Sequence, residues 1–320
     1  LAVQLPIVLR LAGPIRPSLN SRLAEVRQVL RNFVPVFFSR GVVQISAYVD
    51  SMISSLLPTG AVAAMRYAQT LYLLPVSLFG MSVSAAELPA LSSATGTAEE
   101  IAASLRTRLD AGLRRIAFLI VPSVVAFAGL GDVVANAIYQ SGCFTAKDGT
   151  YLWAILAGAS IGLPASTLGR LYASAFYAQH DTRTPLWFSL IRVFLATTLG
   201  YLAAVRLPGL IGVEQRWGIA GLTLASGLAG IVEYTLLRRS LIRRIGRVAL
   251  PTGFLARIWL AALAAAGVAW LLKGAVAGWH PIVLAAVVLG AYGGCYCAAT
   301  WAFKVPEAEA LVDRLTRKMR

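Results

Sequence analysis

Six side chains set in otherwise apolar runs carry the chemistry available here: Asp50, Arg66, Gln69, Thr70, Arg170 and Ser174. A guanidinium keeps its charge and offers several directed donors, so Arg66 and Arg170 fit a phosphate-like anion better than a neutral amide would. Gln69, Thr70 and Ser174 add neutral polar groups, and Asp50 can tune the local field or couple a cation. This is binding chemistry, in which no covalent bond is made. Other motifs are weaker. "GASIG" (158–162) has the letters of a nucleophile elbow, but that motif needs a strand-to-helix turn, and Ser160 falls inside an apolar run where small residues serve close packing. Cys295 and Cys297 share a helix but point apart, and Cys143 is distant in sequence. His180 and His280 make no metal cluster, and no Walker or dinucleotide loop is present. No catalytic residue, metal ligand or cofactor is expected.

The elements that position these residues follow from composition. The chain is 58% hydrophobic and 13% charged, with mean hydropathy +0.71, against roughly 45–50% and 25% in a soluble domain. Eight apolar runs, 33–57, 62–92, 116–139, 150–178, 186–206, 217–237, 252–273 and 281–303, match the ~20 residues a helix needs to cross hydrocarbon. They are rich in Ala, Leu and Gly without sustained period 2, which argues against barrel strands. The reading is an all-α polytopic membrane protein. "LAVQLPIVLRLAG" (1–13) reads as the tail of a preceding transmembrane helix, and residues 14–32 as a cytoplasmic linker. The absence of an initiator Met predicts that the sequence begins inside a longer protein.

The formal charge of +15 suggests nucleic acid until its distribution is considered. If Arg16, Arg22, Arg27 and Arg31 face one side, that side also receives Arg106, Arg108, Arg114, Arg115, Arg183, Arg238, Arg239, Arg243, Arg244, Arg247, Lys304, Arg314, Arg317, Lys318 and Arg320. The other side holds only Lys147, Arg206, Arg216 and Lys273. The asymmetry makes the first side cytoplasmic, with both ends of the chain on it. The charge then serves orientation and contact with anionic phospholipids, and no nucleic-acid partner is expected. Residues 305–320 form a basic cytoplasmic tail, helical over 306–320. The polar run "FYAQHDTRTP" (176–185) falls on the same side as a turn, with Asp181 and Thr184 as caps and Arg183 reaching headgroups or Asp181. Its alternatives are a gate, a partner contact or a catalytic cluster.

At about 100° per residue, Arg66, Thr70, Ser77 and Ser84 form one stripe, bordered by Gln69 and interrupted by Pro75 and Gly80, where a bend is expected. Ser160, Thr167, Arg170, Ser174 and Tyr177 cluster on a second helix around Pro164, and Asp50 lies in a third run with Arg40, Gln44, Ser46, Ser51 and Ser54. Charge facing hydrocarbon is costly, so these groups face a wetted cavity or one another. Interhelical bonding is the alternative, and for Arg66 a guanidinium that snorkels to its helix end.

Several stretches resemble one family. "RYAQTLYLLPVSLFGMSVSAAELPALS" (66–92) is similar to the "YADRLxxxPxGxFGxxxxxxxLPxLS" helix of the MurJ/MviN family, the lipid II flippases of the MOP exporter superfamily. "SRGVVQISAYVDSMISSLLPTG" (39–60), "SGCFTAKD" (141–148), "GLPASTLGRLYASAFYAQHDTRTP" (162–185) and "GIAGLTLASGLAG" (218–230) resemble further family passages in the same order. The resemblance implies a MOP exporter-like bundle of 14 helices, of which this chain holds the C-terminal six-helix lobe (33–240) and two additional helices (241–304), with the N-terminal lobe missing. It also implies alternating-access movement of an undecaprenyl-pyrophosphate-linked peptidoglycan precursor across the bacterial inner membrane, driven by membrane potential or a monovalent cation gradient. Two departures stand out. Gln69-Thr70 replaces Asp-Arg, with Arg66 one turn away, and Ala196 and Gly200 stand near asparagines of a sodium site for which Asp50 would supply the acidic ligand. Two alternatives follow: a flippase for another polyprenyl-linked or anionic lipid, and a noncatalytic membrane scaffold.

Overall fold

The computed structural model describes residues 44–92, 97–248 and 250–310, together with Phe33 and Gly41. The expected helix tail at 1–13, the linker at 14–32, Arg40 and the end of the basic tail lie outside the described residues. Regular structure among the described residues is helical throughout. The elements are α1 (44–55), α2 (Ala61–Pro75), a π-helical segment (Val76–Met81), α3 (Ser82–Ser92), α4 (Ala98–Tyr139), α5 (Ala146–Ser160), α6 (Leu163–Ala178), α7 (Arg183–Tyr201), a second π segment (Leu202–Arg206), α8 (Leu207–Ile211), a 3-10 turn (Gln215–Trp217), α9 (Gly218–Ile245), α10 (Thr252–Ala275) and α11 (Pro281–Ala302).

Six of the spans these elements build are long and apolar enough to cross a membrane, and α5 with α6 meets the same standard only as a pair, bent by 43° at its break. The remaining apolar run, 33–57, is described as continuous helix only over 44–55. The protein is therefore a multi-pass, all-helical membrane protein. The bend expected near Pro75 and Gly80 takes the form of the first π segment, where proline has removed one backbone donor. Gly80 lets α6 approach there, since a Cβ would stand 3.0 Å from Thr167 Cγ2.

Two sequence readings are corrected. The run 150–178 is not one helix with Pro164 in its middle: it breaks after Ser160, and Pro164 sits in the first turn of α6, where its missing N–H costs no helical bond. The basic stretch before residue 116 is not a loop. It is the first part of α4, whose 42 residues span about 63 Å. A capping box starts this extension, with the Thr97 amide donating to Glu100 Oε2 at 2.8 Å and the Glu100 amide to Thr97 Oγ1 at 3.3 Å.

α4 also joins two cores. One holds Leu109, Ile116 and Ile120 of α4 with Ile155, Leu171, Phe176 and Leu222. The other packs its Phe118, Val121 and Val125 against Ile258, Ala262 and Ala265 of α10 and Val288 and Tyr292 of α11. Pro122 removes the amide that would bond the Phe118 carbonyl, and Tyr296 donates its hydroxyl there instead at 2.7 Å. A second repair lies at Leu130, where α4 leaves helical geometry and Trp153 Nε1 donates to the Ala128 carbonyl at 2.8 Å.

Candidate functional site

The motif that looked most like an active site is a helix connection. Gln179 ends α6, His180 adopts φ 57°, its amide donates to the Tyr177 carbonyl, and the Asp181 amide donates to that of Phe176. This is a Schellman closure with histidine in the position glycine usually takes. The expected capping roles are redistributed. Asp181 Oδ1 accepts from the amides of Arg183 and Thr184 at 3.1 and 3.0 Å, and Thr184 donates its hydroxyl to Asp181 Oδ2 at 2.7 Å. The cation on Asp181 is Arg244 of α9, at 2.7 Å, rather than Arg183, and Arg244 also stacks 5.0 Å from the Phe176 ring centroid. The run thus ties α6 and α7 to the basic end of α9.

Burial pushes the Asp181 carboxyl upward, but the Thr184 bonds and the Arg244 charge outweigh it and hold the group below its ordinary range. A depressed folded pKa contributes stability above the unfolded value of about 4, lost as pH falls through the folded value. Asp181→Ala is expected to cost about 1–2 kcal/mol at pH 7, the usual range for a lost cap. Thermal melts should show that difference shrinking below pH 4, and a constant difference from pH 7 to pH 3 would contradict the assignment.

Within the lobe, α1, α2, α5, α6, α7 and α9 line a half-open cavity of about 190 Å³. Asp50, Gln69, Tyr72, Ser166, Arg192, Thr223 and Ser226 supply its polar wall. Tyr72 and Ser166 share a hydroxyl bond of 2.8 Å across α2 and α6, and Thr223 donates to the Ile155 carbonyl at 3.0 Å. Arg192 Nη1 pairs with Glu233 Oε2 of α9 at 3.2 Å. The Asp50 carboxylate makes no hydrogen bond or ion pair among the described residues, and Ser226 Oγ is buried without a partner among them. On the opposite wall Gly162 and Gly227 bring α6 and α9 into backbone contact.

The expected substrate residues do not converge on this cavity. Only Gln69 lines it with Asp50. Arg66 is exposed on α2 and donates from Nη2 to Ser51 Oγ of α1 at 3.1 Å, while exposed Thr70 bonds the Arg66 carbonyl. Arg170 is exposed on α6, and Ser174 donates to its carbonyl at 3.0 Å. α2, with the π segment that continues it, runs the same way as α6, so Arg66 lies before and Arg170 beyond the contacts that join them, Tyr72 with Ser166 and Gly80 with Thr167.

A family model described as "Lipid II flippase MurJ" matches residues 1–290. The chain belongs to the MurJ family. Relatives include a probable lipid II flippase MurJ of Rhizobium tropici, 32% identical over 69% of this chain and 39% of that protein. The Haemophilus influenzae counterpart is 26% identical over 90% of this chain and 58% of that protein, and a lipid II flippase MurJ of Burkholderia cenocepacia is 32% identical over 72% and 42%. A solved structure titled "Lipid II flippase MurJ, inward closed conformation" superposes with TM-score 0.71 at 22% identity, over 94% of this chain and 59% of the other, and shares the fold. The chain thus spans between about two fifths and three fifths of the length of these relatives.

The sodium site that membership of the MurJ family suggested fits these residues poorly. Ala196 and Gly200 contribute no oxygen ligand through their side chains and are buried, and a Cβ on Gly200 would stand 2.6 Å from Leu222 Cδ1. The Arg192 guanidinium meanwhile shares the cavity wall with Asp50. Arg192 and Glu233 were missed in sequence, although each is an ionisable residue inside an apolar run and therefore a signal in itself. Charges had been counted at loops and helix ends, where orientation is decided.

Proposed function

We propose that this chain forms the C-terminal lobe of a flippase that carries lipid II, the undecaprenyl-pyrophosphate-linked peptidoglycan precursor, from the inner to the outer leaflet of the bacterial inner membrane. The match to the lipid II flippase family over residues 1–290 carries the proposal. Exposed Arg66 and Arg170 on membrane-crossing helices support it, because a guanidinium binds a pyrophosphate through several directed donors. In this reading Arg66, Thr70 and Arg170, with Gln69 and Ser174 beside them, face a second, N-terminal lobe across a wetted path. Asp50 tunes the field behind them. The lobes exchange openings without covalent chemistry.

A membrane potential negative inside assists the step, since each negative charge moved outward gains about 2.3 kcal/mol per 100 mV. Residues 33–240 act as the lobe and 241–304 as two added helices, although α9 runs without interruption to Ile245. The cargo is tested by leaflet translocation of fluorescent lipid II in liposomes holding the purified full-length protein. Saturable flipping supports the reading, and liposomes no faster than protein-free controls reject it.

Orientation is a separate expectation, with Arg183 cytoplasmic and Lys147 periplasmic. Thr182, though in the right turn, is only 8% exposed and would make a poor probe. Lys147→Cys and Arg183→Cys, both exposed positions, serve better once the native cysteines are replaced. An impermeant maleimide added outside spheroplasts should label Lys147→Cys at least ten times faster, and equal labelling would overturn the topology.

A further inference from the structure

We infer that Arg192 is the resident cation of the lobe's internal cavity, a tethered counter-ion serving Glu233 and Asp50 in place of a dissolved monovalent ion. The wall of this cavity carries two unlike charges, Asp50 from α1 and Arg192 from α7, and Arg192 is held from behind by Glu233 of α9 at 3.2 Å. A guanidinium keeps its charge in such a setting and has five donors, of which the bond to Glu233 uses one. The side chains of Arg192 and Glu233 are 29% and 18% exposed, so solvent screens them only partly.

A dissolved cation entering this cavity would stand beside a fixed positive charge. What the wall lacks is ligands on α7: buried Ala196 and Gly200 add no side-chain oxygen, and the charge that α7 does bring to the cavity is the Arg192 guanidinium. The Ser226 hydroxyl, buried without a partner among the described residues, and the Gln69 amide are donors in the same wall as Asp50. Arg192 is thus a specificity-determining residue: its positive charge excludes sodium, and its removal leaves Asp50 and Glu233 as two uncompensated carboxylates that would recruit it.

The test reads ion binding and does not depend on which lipid is carried, so its failure would leave the cargo assignment standing, and the reverse. The purified full-length protein is melted in NaCl and in choline chloride at equal ionic strength, and bound ²²Na⁺ is measured by equilibrium filtration. The wild type should melt within one degree in the two salts and show no saturable ²²Na⁺ binding. Arg192→Ala should gain saturable binding and several degrees of sodium-dependent stabilisation, both abolished by adding Asp50→Asn. Arg192→Gln, which keeps most of the volume, provides the same comparison should the alanine variant fail to fold. Saturable sodium binding by the wild type that Asp50→Asn removes would overturn the inference, as would folded Arg192 variants that stay blind to sodium.

Discussion

Gly162→Leu is expected to abolish the folded lobe. An ideal Cβ on Gly162 would lie 2.4 Å from Gly227 Cα and 3.1 Å from its carbonyl oxygen, while one on Gly227 would lie 2.9 Å from the Gly162 amide nitrogen. These neighbours are backbone atoms, of α9 and of the start of α6, which cannot rotate aside as a side chain can. The helices would have to separate, breaking the Thr223–Ile155 bond and loosening the contacts of buried Leu163, Ile219 and Leu222. Overpacking by a few methylenes costs typically 1–3 kcal/mol and more where backbone must move, against total stabilities of about 5–15 kcal/mol. Gly162→Ala should therefore fold with a lower melting temperature, and Gly162→Leu should be lost to aggregation on extraction. Gly209, which has no neighbour within 4 Å of a built Cβ, provides the control, and Gly209→Leu should extract normally. A Gly162→Leu protein that elutes as a monodisperse peak and melts like the wild type would show that the glycine contact is not what sets the distance between α6 and α9.

That contact also marks how far the sequence could be read. "GASIG" was assigned to packing because its serine sat in an apolar run, and the structure gives both glycines that role: a Cβ on Gly158 would stand 2.6 Å from the Ala220 carbonyl oxygen, beside the Gly162 contact. Periodicity could announce a small-residue face. It could not name Gly227 as the partner, because pairing between helices 65 residues apart depends on the direction of the bend after Ser160, which Pro164 marks in place but not in angle. Spans were legible because hydrocarbon imposes length and composition on them. The start of α4 was missed because its first turns are charged and carry no apolar run, even though Thr97 and Glu100 had the spacing of a capping box. The arginines on α2 and α6 were visible as polar stripes, but a stripe does not give depth. The contacts of Tyr72 with Ser166 and of Gly80 with Thr167 supply it, and they place Arg66 and Arg170 on opposite sides of the junction.

Arg170→Ala is expected to slow lipid II flipping by roughly ten- to a hundredfold, and Arg66→Ala by about threefold. A hydrogen bond to a charged group is worth about 1.5–3 kcal/mol, and each 1.4 kcal/mol in a barrier is tenfold in rate. Arg170 should express most of that value, since it lies away from the ends of α6, within a cluster that also carries Ser166 and Ser174. Arg66 already spends one donor on Ser51 and lies in the second turn of α2, close enough to the helix end to reach interfacial water. The depth difference adds a sharper expectation, because one pyrophosphate cannot bridge both guanidiniums in a rigid lobe. They would instead meet the headgroup in succession, at separate steps whose times add, so Arg66→Ala with Arg170→Ala should be little slower than Arg170→Ala alone. The measurement is initial flipping rate in liposomes at equal protein content, with helical content and melting temperature checked for each variant. A double variant slowed by the product of the two single factors would place both arginines on one shared barrier, and wild-type rates in both single variants would remove them from the path of the headgroup.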